Sequence, residues 1–366
     1  MVQSYDVGSL PLCVDIDKYV KGANSFEAGL QDEWAAYFEK SAVKVFLDKL
    51  NAGIDIPNFP QFRDMSTMFL SMVDGLEKIR GGYVETGRLS LKPDKECLPE
   101  VSVVKKNIHE ISEEYEKPFR MKVCITGPYT LASFFPFRTG DTFSRLGGVL
   151  SLIVERNVFW EKIGHVEIVS IDEPLFGLVD DSLLDRGSVE RENLFKAWTN
   201  LFHSAKARKV RTCLHLHNTS DGLFWGVKSL DIVESHVGDP LYEMKETKKR
   251  LEEEDKVLKA SVCVVDFDSL IKETVVKASA RKFDDSALNE AVADTWEKLQ
   301  QNSVAAEDFL EPIEVMRQRV MQVIERFGAE RVPFVGPECG LRGFPTYQSA
   351  IECLRRVAEM AQSFRV

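Results

Sequence analysis

The chain predicts a single α/β domain over residues 1–366, folded as a (β/α)8 TIM barrel. Three observations carry that prediction. Short apolar segments alternate with amphipathic ones, a pattern that builds a parallel sheet covered by helices. Eight strand segments can be counted, enough to close a barrel. Polar clusters recur at the C-terminal ends of many of these strands, not at the one switch point where an open doubly wound sheet binds its ligand. No low-complexity linker or internal repeat divides the chain.

Taken in order, Val7–Pro11 reads as a first short strand that breaks into a loop. Gln31–Ala52 follows as a helix, because Trp34, Phe38, Val43, Val45, Phe46 and Leu50 recur at helical spacing. Gly53–Ile56 is the second strand, stopped by Pro57 and Pro60. Met65–Leu76 reads as a helix, and the Gly-bounded, alternating Gly81–Lys95 as a hairpin outside the main sheet. Leu98–Tyr115 is a helix with acids and lysines on its outer face. Strand and helix then alternate regularly. The strands are Arg120–Thr126, Val166–Ile171, Val210–His217, Ser229–Glu234, Val257–Val265 and Val332–Val335. The helices are Leu146–Ile163, Val189–Ala207, Leu223–Val227, Tyr242–Glu253, Ile313–Arg326 and Tyr347–Phe364. The stretch 266–312 is longer than a barrel loop requires. It reads as a helical insertion after strand seven, with a helix over Asp285–Leu299.

Bulk composition narrows the function. The chain is 44% hydrophobic and 29% charged, with a net charge of −11. So acidic a chain suits neither nucleic acid nor an anionic membrane surface. No apolar run approaches the about 18 residues of a membrane span, and the N-terminus lacks the pattern of a signal peptide. Seven cysteines, an odd number without CxxC pairs, read as reduced cytoplasmic thiols. The chain contains no GxGxxG, Walker or GxSxG motif.

The segment Val210–Asp221, VRTCLHLHNTSD, carries the most chemistry. On a strand, Cys213, His215 and His217 share one face, one pleat apart. Two imidazoles so placed are suited to a metal such as zinc. Glu234 ends the sixth strand and is followed by Ser235-His236, while Cys339 follows the eighth. His215, His217, Glu234 and Cys339 therefore form an expected four-ligand set for Zn2+ at the barrel rim. Each of these residue types alone is commonplace at a strand end or in a loop; their joint occurrence at one rim carries the reading.

From Val7 to Leu341 the order of short motifs resembles the catalytic barrel of cobalamin-independent methionine synthase. Gly8-Ser9-Leu10-Pro11 is similar to that family's Gly-Ser-Phe-Pro. Ile171-Asp172-Glu173-Pro174 matches its Ile-Asp-Glu-Pro, and Pro337-Glu338-Cys339-Gly340-Leu341 its Pro-Asp-Cys-Gly-Leu. The resemblance implies zinc-dependent methyl transfer to a thiol, homocysteine giving methionine. It implies catalytic roles for Asp172 and Glu234. Substrate would be held by Ser9 at its carboxylate, with Gly8 allowing close backbone approach, and by Asp172 at its amine. A single barrel is closer to the short members, which look like users of methylcobalamin or a methyl-corrinoid protein; methyl-folate is the remaining donor.

Two positions depart from the family pattern. His217 stands where the family has Cys, so the metal site is less anionic; alternatively Cys213 or His236 supplies the ligand. Gln61 stands near the family's amine-binding Glu, and Arg63 beside it favours an acidic group. An acceptor with an acid and no amine, such as coenzyme M, is then an alternative to homocysteine. Two rival readings remain at this point: a metal-dependent hydrolase, which places its His-x-His on the first strand, and a non-catalytic corrinoid- or protein-binding barrel.

Overall fold

The computed structural model describes residues 2–138, 141–279 and 283–365. Its strands, in chain order, are β1 (Gln3–Ser4), β2 (Val73–Ile79), β3 (Gly82–Leu91), β4 (Phe119–Thr126), β5 (Trp160–Glu161), β6 (Gly164–Glu173), β7 (Arg211–Leu216), β8 (Ile232–Glu234), β9 (Val257–Cys263) and β10 (Phe334–Pro337). The main sheet runs β1-β10-β9-β8-β7-β6-β4, with every neighbouring pair parallel. This curled path of seven strands is open. The expected second strand forms no ladder. Residues 54–58 span the gap through isolated parallel bridges, Tyr5 with Ile56 and Asn58 with Lys122. The expected closed eight-stranded barrel is therefore present as a seven-stranded curl with a bridged gap.

The first strand also lies earlier than expected. Pairing is regular at Gln3–Ser4, and beyond Tyr5 only Ser9 makes a bridge, to Gln61. The backbone at Asp6–Gly8 is held by side chains instead. Lys49 Nζ, fully buried, donates to Asp6 Oδ2 at 2.7 Å and to the carbonyl of Gly8 at 3.0 Å.

The helices are α1 (Ile16–Glu27), α2 (Glu33–Asn51), α3 (Thr67–Leu70), α4 (Pro99–Lys106), α5 (Ile108–Glu114), α6 (Pro128–Ala132), α7 (Thr142–Arg156), α8 (Val189–Ala207), α9 (Lys245–Glu253), α10 (Phe267–Ala278), α11 (Asp285–Gln300), α12 (Ile313–Phe327) and α13 (Tyr347–Gln362). Helix α1 was not expected. Its buried face is made of Tyr19, Gly22, Ala23 and Ser25, with small and polar residues interrupting the apolar stripe. Gly22 lets α2 approach closely, since a Cβ there would lie 2.3 Å from the carbonyl of Trp34.

Three further expectations are corrected. Met65–Leu76 is helical only at α3, after which β2 begins. Gly75, at φ +78°, sits where the β2–β3 ladder shifts register, and a Cβ there would lie 2.5 Å from the Arg88 carbonyl. The hairpin itself forms a separate two-stranded antiparallel sheet. Leu98–Tyr115 divides at Asn107 into α4 and α5. The helix expected over Leu146–Ile163 ends at Arg156, because β5 folds back antiparallel on β6.

Within the curl, side chains stack in layers. Tyr5, Ile56, Ile168, Cys213, Ile232 and Phe334 form a small apolar cluster separate from the main core. The main core lies between the strands and the surrounding helices. One step further towards the C-terminal ends, Asp172 on β6, His215 on β7 and Glu234 on β8 lie in register. This layer supports the site. No helix among the described residues is long and apolar enough to cross a membrane.

Candidate metal centre

The alternation of β7 sets the site's geometry. Cys213 joins the interior apolar cluster, and His215, two residues on, points from the same face at the rim. His217 follows just past the strand end. The loops after β8 and β10 bring in His236 and Cys339. One ligand atom from each of His215, His217, His236 and Cys339 lies within 4.8 Å of the others. Cys339 Sγ is 3.5 Å from His217 Nε2 and 3.8 Å from His215 Nε2. Zinc bonds of about 2.05 Å to nitrogen and about 2.3 Å to sulfur, tetrahedrally disposed, place such atoms about 3.5 Å apart. His236 Nε2 is buried and has no hydrogen-bond partner, as a nitrogen aimed at a metal should be. Donor chemistry, spacing and this orphaned atom all fit a zinc ion.

Glu234, expected as a ligand, lies outside this group. It stands behind His215, with Oε1 3.0 Å from Nδ1, although the contact is poorly aligned for a hydrogen bond. Three other groups hold it there. Tyr5 Oη donates to Oε2 at 2.7 Å, Lys259 Nζ is 3.3 Å from Oε2, and Lys122 Nζ is 3.8 Å from Oε1. All of these side chains are buried. Burial alone would raise the Glu234 carboxyl, but the two ammoniums and His215 hold it well below the usual carboxylate range. A carboxylate behind a ligating imidazole fixes the ring and increases its basicity. His236, open to the sequence only as an alternative, fills the fourth corner beside His217, their ring centroids 4.1 Å apart.

Charge within the cluster is strongly shifted. Burial by itself would raise the Cys339 thiol; the imidazoles of His215 and His217 against its sulfur, with His236 close by, hold it well below the ordinary thiol value. Burial would likewise neutralise His215, but the Cys339 sulfur and Glu234 raise it to about 9. The site thus presents a thiolate, the form in which cysteine binds metal.

A cavity of about 140 Å³ opens against His215, His217 and Cys339. Ser9, Gln61, Arg63 and Asp172 line it, as does Arg342, which sequence reasoning did not single out. Gly8 lies just behind, where a Cβ would come 2.4 Å from Gln61 Oε1. Asp172 accepts from Ser170 Oγ at 2.7 Å. Arg63 is less available than the sequence suggested. Its Nε and Nη2 each donate to Glu100 at 2.7 Å, a bidentate pair with a fully buried carboxylate. Tyr5, Lys122 and Lys259 were also missed, because each reads in sequence as an ordinary strand residue. Glu173, the other acid of the Asp172-Glu173-Pro174 turn, faces away and accepts from the amides of Tyr129 and Thr130 and from Trp198 Nε1.

Fold and site together define a class: a curled parallel α/β sheet with a His3Cys cluster at the C-terminal ends of its strands. Among the solved structures that the chain resembles, two share this fold along nearly their full length. A B12-independent methionine synthase from Shewanella sp. W3-18-1, in complex with selenomethionine, superposes with a TM-score of 0.59 at 14% identity, over 100% of this chain and 98% of that one. A putative vitamin-B12-independent methionine synthase from Listeria monocytogenes gives a TM-score of 0.60 at 14% identity, over 100% and 99%. No model of a known protein family matches the chain, and no curated protein matches it. The resemblance read from short motifs is thus met by a shared fold.

Proposed function

We propose that the chain is a cytoplasmic zinc-dependent thiol S-methyltransferase of the methionine synthase type. Its acceptor is a small thiol such as homocysteine, and its donor is methylcobalamin or a methyl-corrinoid protein. The observation that carries this reading is the three-imidazole, one-thiolate cluster, of which His215, His217 and Cys339 form one wall of a small cavity. His215, His217, His236 and Cys339 would hold the ion. When bound, zinc keeps an acceptor thiol ionised at neutral pH while leaving its sulfur a lone pair. Methyl transfer forms the sulfur–carbon bond and breaks the carbon–cobalt bond, whose electron pair stays on cobalt. Asp172 orients an acceptor amine, Ser9 donates to its acid group, and Glu234 positions His215. The net charge of −11 supports a corrinoid donor over a polyglutamylated folate, whose anionic tail needs a basic surface.

Elemental analysis of the purified protein tests the reading, with methylcobalamin consumption followed against a panel of thiols. About one zinc per chain and thiol-dependent consumption are expected. Cys339→Ser should lose stoichiometric zinc while keeping its folded circular dichroism, because rim residues of such barrels serve function more than stability. A metal-free wild-type protein with full activity would refute the proposal.

A further inference from the structure

We infer that Arg342 recognises an acid group on the acceptor, so that the site takes short thiols bearing a carboxylate or sulfonate and does not require an amine. This rests on the thiol-transfer reading and specifies its substrate class. Asp172, Arg63 and Arg342 are the charged side chains there besides the metal cluster, and Ser9 and Gln61 are neutral. Asp172 accepts one hydrogen bond, from the Ser170 hydroxyl, and shares its charge with the nearby cations Lys122 and His215, so it can meet an acceptor amine but does not demand one. The Arg63 guanidinium is saturated on one edge by Glu100. Gln61 offers an ammonium no charge, and its Oε1 faces Cys124 Sγ at 3.5 Å.

Arg342 differs from these. Among the described residues it makes no hydrogen bond and no ion pair. The nearby Asp64 feels its charge, yet Asp64 Oδ1 is committed to the amides of Ser66 and Thr67 at 3.2 and 2.7 Å. Arg342 therefore brings to the cavity a guanidinium with no partner among the described residues, whereas the charge of Asp172 is already partly met by Lys122 and His215. Its root is fixed, because the Leu341 amide donates to the Ser9 carbonyl at 2.8 Å. Arg342 follows Cys339 by three residues, a reach of at most about 10 Å. That distance suits a thiol with a short alkyl chain between sulfur and acid. A guanidinium is the side chain best matched to a planar carboxylate or to sulfonate oxygens.

Cobalt(II)-loaded protein tests this directly, since thiol binding is read from the visible absorption of the metal without turnover. Mercaptopropionate, mercaptoethanesulfonate, homocysteine and mercaptoethanol would be titrated into wild type, Arg342→Gln and Arg342→Lys. In wild type the amine-free acid thiols should bind at least about tenfold more tightly than mercaptoethanol. Arg342→Gln should erase that advantage and leave mercaptoethanol unchanged, and Arg342→Lys should retain part of it. Arg342 is exposed, so each variant should fold. If Arg342→Gln leaves mercaptopropionate unaffected, or weakens mercaptoethanol equally, the inference fails and thiol transfer stands. If no thiol alters the cobalt spectrum, both fail.

Discussion

His215 lies between two anions, the Cys339 sulfur at 3.8 Å and Glu234 at 3.0 Å. Burial opposes a charged imidazole, and those partners outweigh it, so the metal-free ring holds its proton to about pH 9. The same interaction holds the Cys339 thiol well below its ordinary value, favouring the thiolate. Zinc requires a neutral imidazole. Metal binding near pH 7.5 should therefore release about one proton, from His215 and not from Cys339. Calorimetric titration of zinc in buffers of different ionisation enthalpy measures this number directly. Zinc affinity should then rise with pH and level off above about 9. In the metal-free chain, linkage sets the two groups against each other. His215 has a folded value above the unfolded value of about 6.5, so its contribution is complete below that pH. That contribution is lost as pH rises through about 9. Cys339, whose thiol is lowered on folding, contributes in the opposite sense over the same interval, so the pair should leave the melting temperature nearly flat between about pH 6.5 and 8.5. A steep fall there would show that Cys339 is not a thiolate in the metal-free state.

At the scale of elements, the end of β6 sends adjacent acids in opposite directions. Asp172 faces the cavity, while Glu173 meets the first amides of α6 and the Trp198 indole of α8. Burial pushes the Glu173 carboxyl up to about 7 against the pull of those donors. Removing it in Glu173→Ala strands the buried donors, which should cost about 3 kcal/mol in urea unfolding, with zinc stoichiometry retained. A loss of zinc without a loss of stability would reverse the two roles assigned to the turn. How legible such elements were depended on their periodicity. The expected span of α8 agrees residue for residue with Val189–Ala207, and β7 shows the inferred alternation. Helix α1 escaped because Gly22, Ala23 and Ser25 share its buried face with Tyr19, so small and polar residues dilute its apolar stripe. The Glu234 assignment erred because a carboxylate at a strand end reads alike in sequence whether it ligates or supports a ligand. Only the positions of Lys122, Lys259 and Tyr5, each from a different strand or bridge, show that its charge is consumed inside the sheet.

At the scale of the molecule, the cluster depends on chain segments more than a hundred residues apart, and one carboxylate binds several of them together. Glu338 precedes Cys339, and its Oε2 accepts from the amide of Val237, which follows His236, at 2.8 Å. Its Oε1 accepts from the Val265 amide at 2.8 Å, in the loop after β9. That loop leads into α10, where Phe267 packs on Phe344 from the segment beyond Cys339. The loops after β8, β9 and β10 are thus fastened at one buried side chain, and two of them deliver metal ligands. His236 depends on this tie most, since the strand before it is only three residues long. Glu338→Ala should therefore free both amides and let His236 and Cys339 drift apart. Losing a residue that holds metal ligands in place lowers metal affinity about 10- to 100-fold. The barrel core does not include Glu338, so the far-ultraviolet spectrum should be unchanged. Competition with a chromophoric zinc chelator measures the affinity. Glu338→Gln, which keeps one acceptor, should fall between wild type and the alanine variant; if alanine and wild type hold zinc equally, His236 and Cys339 are placed by their own loops and not by this shared carboxylate.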